Sequence, residues 1–166
     1  MNPYLAVPFL LIVSLLQSTL APRMQIGAVW PDLPLLVVTS WALLRRPAEA
    51  LAWAFLCGIV VDLTSSGPFG GTTLGLMLAA WIAGQMADGP LRWRTFLPIV
   101  TAFVCTLADH AVYGLMTLLV GQPVDPADAL LRVALPAAVY NAALSWPIYR
   151  LLAALDQRIR PKALRW

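Results

Sequence analysis

Asp109 and His110 are the residues of this chain most able to do chemistry, because they sit together in a run that is otherwise free of charge from Thr95 to Val124. An ionisable group inside an apolar span costs a few kcal/mol at a bilayer centre, so such groups are the first places to look for function. Successive helical residues point about 100° apart, which prevents Asp109 and His110 from forming one compact ligand set. The single histidine has no Ser or Cys motif around it, and a nucleophile, its base and an orienting group are not all present. The sequence therefore predicts no catalytic residue, no metal and no cofactor. Counting eleven residues back from Val120 places Asp109 about 16 Å below the outer end of its segment, and counting eleven on from Leu130 places Asn141 at a similar depth. Asp109, Tyr113 and Asn141, with Tyr140 nearby, are thus expected to form an intramembrane polar network. A satisfied interhelical hydrogen-bond set is the plainer reading, and a proton or ion path is the sharper one.

A second cluster is the segment from Asp62 to Thr72, Asp-Leu-Thr-Ser-Ser-Gly-Pro-Phe-Gly-Gly-Thr. Its glycines suggest a phosphate loop, but it lacks the lysine and the preceding strand that such a loop requires. Gly67-Pro68 with Gly70-Gly71 makes a sharp reversal, the hydroxyls can cap helix ends, and Asp62 is placed to accept hydrogen bonds from the turn. Cys57 and Cys105 both fall in apolar runs, where a thiol acts as a small apolar side chain, so no disulfide is expected.

The elements that hold these residues follow from composition. Of 166 residues, 60% are hydrophobic and 11% charged, and the mean hydropathy is +0.77; soluble domains run near half apolar and a quarter charged. No charge occurs in 1–22, 63–87, 95–108, 110–124 or 133–149, runs near the length needed to cross a bilayer. The reading is an all-α integral membrane protein: one transmembrane domain over 1–166, with spans at 3–21, 31–44, 48–63, 73–87, 95–120 and 129–155. The first run lacks a basic leader and a trustworthy cleavage site, and is read as a retained helix. Arg45-Arg46-Pro47 makes the tight turn between the second and third spans. With both termini in the cytoplasm, nine of the basic residues lie inside (Arg45, Arg46, Arg92, Arg94, Arg150, Arg158, Arg160, Lys162, Arg165), whereas Arg23 and Arg132 lie outside. That is a strong positive-inside asymmetry. It also accounts for the pI near 9.2 without nucleic acid. Tyr4, Trp30, Trp93 and Tyr149 fall near interfaces, where amphipathic rings are favoured; Trp41, Trp53, Trp81 and Trp146 fall further in and are expected to pack. Small residues at Ala50, Ala54 and Gly58, at Gly75, Ala79 and Ala83, and at Ala134, Ala138 and Ala142 mark faces for close helix contact.

Pro31-Asp32-Leu33 opening a span, then Arg46-Pro47, then Gly58-Ile-Val-Val-Asp62 and Ser66-Gly67-Pro68-Phe69-Gly70 resemble, in order and spacing, the bacterial rod shape-determining protein MreD family. The specific motifs occupy 31–70, and hydropathy extends the likeness to the rest. The resemblance implies a non-catalytic component of the cell-elongation machinery that binds MreC and works with RodA and its partner class B penicillin-binding transpeptidase in lateral peptidoglycan synthesis. It carries over Asp32, Arg46, Asp62, Gly67, Pro68 and Gly70 as motif or partner-interface positions. The compact six-helix shape is also similar to the substrate-binding subunits of energy-coupling-factor vitamin transporters, which supplies the rival function.

Overall fold

A computed structural model of the chain describes residues 3–19, 23, 29–45, 47–65, 67–88, 96–122 and 125–159. It is all-α: α1 (Pro3–Thr19), α2 (Leu33–Leu44), α3 (Pro47–Thr64), α4 (Gly71–Asp88), α5 (Leu97–Leu119), the short α6 (Pro126–Asp128), a π-helical segment (Ala129–Ala134) and α7 (Leu135–Ile159). The last three run on as one rod. Arg46, Arg92, Trp93, Arg94, Arg160, Lys162, Arg165 and the Tyr4 side chain lie outside the described residues.

The helix ends are set by local chemistry. Asp32 caps α2, its Oδ1 accepting from the Leu35 amide at 3.0 Å, and Asp125 does the same for Ala127 at 2.9 Å; both satisfy a first-turn amide that no carbonyl can reach. A proline follows each cap within the first two helical positions, where its missing N–H costs nothing. α5 closes on Gly121 at φ +84°. There the Gly121 and Gln122 amides return to the Leu118 and Thr117 carbonyls, the paired bonds of a Schellman end.

α2 is the axis of the bundle. Every residue from Pro34 to Ala42 is buried, as befits a helix that is apolar on all sides. Trp41 stacks on Trp53 of α3 with ring centroids 4.2 Å apart and planes 8° from parallel, and Phe9 of α1 tilts against Trp53 at 6.0 Å. The small-residue faces do close the structure: Ala50, Ala54, Gly58, Gly75, Ala79, Ala83, Ala134, Ala138 and Ala142 are all buried. At Gly58 a Cβ would overlap the Thr73 Cα, and at Gly84 it would press on Pro47 at 3.2 Å, so α3 and α4 meet backbone to backbone. Trp81 and Trp146, expected to pack, are instead exposed at 53% and 42%. Trp81 lies about 200° around α4 from Ala79 and so points away from the face it was expected to join. Trp146 shelters under the Arg150 guanidinium at 5.2 Å.

At the end of the bundle where α2 stops, Arg45 reaches across to α7, its Nε 2.6 Å from Asp156 Oδ1, while its guanidinium lies 5.6 Å from the Trp41 ring centre. Asp156 is buried, and this ion pair between residues 111 apart was not anticipated from the sequence. Among the described residues, three helical stretches, Pro47–Thr64, Leu97–Leu119 and Pro126–Arg158, are long and apolar enough to cross a membrane, and Pro8–Gln17 and Leu33–Leu44 are apolar but shorter. A helix wrapped by neighbours, as α2 is, need not match the bilayer in length, because its ends are satisfied by protein rather than lipid.

Candidate functional site

Of the motif residues, Asp62, Gly67, Pro68 and Gly70 gather at the opposite end, where α3 turns into α4. Asp62 is buried in the last turn of α3 and points past its own helix. It accepts from the amides of Gly70 at 3.0 Å, Thr72 at 3.1 Å and Thr73 at 3.1 Å, and from the Thr73 hydroxyl at 2.6 Å. One carboxylate thus caps the next helix in the chain, satisfying its orphan amides with negative charge at the positive end of its dipole. The hydrogen bonds expected from the turn are there, and they come from its last residues. Gly70 holds φ +91°, a conformation that strains any residue with a Cβ. Gly67 lies against the Tyr113 hydroxyl in the space a Cβ would fill, which fastens the turn to α5. Phe69 projects outward, 70% exposed.

Asp32 lies nearby at the start of α2. Its amide donates to Asn141 Oδ1 of α7 at 3.0 Å, and the Asn141 amide donates to Thr106 Oγ1 of α5 at 3.2 Å. Asn141, fully buried, therefore ties three helices together. The expected network of Asp109, Tyr113 and Asn141 does not form. The terminal rod is helical from Pro126, so Asn141 stands fifteen residues in rather than eleven, level with Thr106 and not with Asp109. Tyr113 is spent on the turn. Asp109 faces α4, where its carboxylate occupies the space above Gly75; its Oδ1 is buried without a hydrogen-bond partner, and its Oδ2 is 3.9 Å from His110 Nδ1. Gly75 is four residues into α4, so Asp109 lies only about 6 Å from the end of that helix, shallower than its place along α5 suggests.

Between these groups is a cavity of about 200 Å³, lined among others by Gln17, Trp30, Asp32, Asp109, His110 and Tyr113. Gln17 was not singled out by the sequence. Its Nε2 donates to the Pro31 carbonyl at 3.1 Å and its Oε1 accepts from the Leu33 amide at 2.9 Å, binding α1 to the mouth of α2. The signal available was a lone amide in an apolar run, which must find partners when buried. Cys57 and Cys105 are buried free thiols. Among the described residues no group of three or more His, Cys, Asp or Glu side chains is placed to hold a metal ion. The arrangement offers hydrogen-bond acceptors and a rigid turn, which suits recognition.

The Asn141 junction makes a direct prediction. Asn141→Leu keeps the branched heavy-atom skeleton but leaves the Asp32 amide without an acceptor, a loss of about 2 kcal/mol. Thermal unfolding in mild detergent should show a midpoint several degrees lower; an unchanged midpoint would contradict the junction's role.

The family model described as rod shape-determining protein MreD matches residues 1–159. Comparisons with curated proteins and with solved structures give no significant match. The match takes in the α3–α4 turn, Asp32 and the whole helical bundle, and on that span the chain belongs to the MreD family, membrane proteins that determine rod shape.

Proposed function

We propose that this chain is a non-catalytic scaffold of the bacterial cell-elongation complex. In this reading it crosses the inner membrane six times with both termini in the cytoplasm, binds MreC, and supports RodA and its class B penicillin-binding transpeptidase, directly or through MreC, in lateral peptidoglycan synthesis. The observation that carries it is the family match over residues 1–159. Support comes from the Asp62 turn, which presents a fixed surface, and from the described basic residues Arg45, Arg150 and Arg158, which lie toward the other end of the bundle. Asp32, Arg46, Asp62, Gly67, Pro68 and Gly70 are the interface positions in this proposal. Asp62 acts from within by shaping the turn, Phe69 would meet a partner directly, and Arg46 lies outside the described residues.

The rival, a substrate-binding subunit of an energy-coupling-factor vitamin transporter, asks for a pocket that encloses most of its ligand, typically about 300–1,000 Å³. The cavity beside Asp109 is about 200 Å³, whereas a second, mostly apolar one of about 560 Å³ lies between α5 and the terminal rod, so cavity volume fits both readings and the partners separate them. Purifying the tagged protein from its native membranes in gentle detergent and identifying stoichiometric partners by mass spectrometry tests the choice. MreC and the wall-synthesis enzymes are expected; ATPase subunits with a coupling membrane protein would replace the scaffold with vitamin uptake.

A further inference from the structure

Two carboxylates, Asp32 and Asp109, line the cavity between α1, α2, α4 and α5, and no Lys or Arg is among its described lining residues. Several donors around Asp109 are committed elsewhere. Thr106 Oγ1 donates to the Ala102 carbonyl at 2.7 Å, the Asn141 amide to Thr106, and the Gln17 amide to Pro31. His110 Nδ1 stands 3.0 Å from the Thr106 carbonyl, which leaves Asp109 Oδ2 at 3.9 Å, beyond hydrogen-bond reach. Asp109, 7% exposed, keeps one oxygen with no donor at all. A buried carboxylate left this way is costly unless it takes up a proton or a group from outside supplies the missing donors and charge.

The cavity limits what that group can be. At about 200 Å³ it admits a small ion and not a whole lipid or vitamin. The ligand needs several N–H donors to serve two carboxylates, and the lining does not assemble the three acidic, His or Cys groups sought for a metal. Trp30, 51% exposed, and Tyr113, 37% exposed, add ring faces that attract an organic cation. We propose that this cavity binds a small primary ammonium ion of about the size of ethylamine or ethanolamine, either free or carried as a phospholipid headgroup. Asp32 offers its Oδ2, since Oδ1 caps α2, and Asp109 turns its carboxylate from Gly75 toward the ligand.

The test uses the full-length protein in nanodiscs of phosphatidylglycerol, titrated with ethylammonium chloride against sodium chloride at matched ionic strength and read by tryptophan fluorescence. A saturable change specific to ethylammonium is expected, with affinity about tenfold or more weaker in Asp109→Asn, which keeps the shape and removes the charge. Asp32→Asn, which retains an oxygen for the Leu35 amide, should weaken binding in the same way. A parallel set of discs containing phosphatidylethanolamine identifies the source: loss of the response there makes the ligand lipid-borne, and its persistence makes it free. No saturable response in phosphatidylglycerol, or an affinity unchanged from wild type in either variant, overturns the proposal. So does binding of an arginine-bearing peptide without binding of ethylammonium, which would give the cavity to a protein partner. None of these readouts depends on MreC, so the result stands apart from the scaffold reading.

Discussion

Asp62→Ala is expected to lower the stability of the bundle by about 4 kcal/mol, the largest effect of any exchange in the motif. It strips the acceptor from three amides, those of Gly70, Thr72 and Thr73, and from one hydroxyl; each stranded donor costs about 1–3 kcal/mol where water cannot replace the carboxylate. Thr73 is buried while Gly70 and Thr72 are half-buried, so water recovers part of that sum. Asp62→Asn keeps one accepting oxygen but brings an N–H₂ against the same amides, and should fall between. Unfolding midpoints in detergent give the order wild type, Asn, Ala. In cells at matched protein levels, Asp62→Ala should disturb rod shape more than removal of Arg165, a charge in the terminal tail; equal phenotypes would show that the turn does not serve assembly.

Gly58→Leu is expected to prevent the bundle from accumulating, and Gly58→Ala to cost about 3 kcal/mol. The obstacle is the Thr73 backbone itself, with its Cβ and Oγ1 at 2.9 and 2.8 Å from the position of the added atom. Side chains can turn aside and a helix backbone cannot, so α4 would have to shift, taking the Thr73 amide away from Asp62. Gly67→Ala provides the contrast, because the first atom it meets is the tip of Tyr113, a side chain with two rotatable bonds that is partly open to its surroundings. Expression level and unfolding midpoint, compared across Gly58→Ala and Gly67→Ala, check the difference. A smaller loss at Gly58 than at Gly67 would mean that the α3–α4 contact is looser than these distances require.

Much of this architecture is legible in the sequence, and the reason is local. Charge-free runs mark the helices, and Pro31-Asp32-Leu33 and Arg45-Arg46-Pro47 mark where α2 opens and where it gives way to α3, through rules that act within a few residues. The Asp62 turn was legible for the same reason, since donor and acceptor lie 8 to 11 residues apart. What could not be read is rotation about the helix axes. α4 is free of charge from Gly71 to Ala87 and α7 from Leu135 to Tyr149, so no charged face reveals which way Trp81 or Asn141 points. Partners far apart in the chain, Arg45 with Asp156 or Asp32 with Asn141, depend on that phase and on axial shifts of a few residues. The extension of the final rod to Pro126 was enough to exchange Asp109 for Thr106 as the neighbour of Asn141.

The π-helical turn at Ala129–Ala134 gives that rod a built-in offset. A π-bulge accommodates one more residue than the α-turn it interrupts, so the segment beyond it arrives rotated by about 100° from where a regular helix would carry it. Asp128, just before this offset, pairs with Arg132 within it at 3.0 Å, and the buried face of Ala134, Ala138 and Ala142 starts at its last residue and continues beyond. The tip of the rod and its packed stem are therefore set at independent angles. Deleting a single residue within 129–134 would act as a dial, turning the exposed tip against a stem that stays docked.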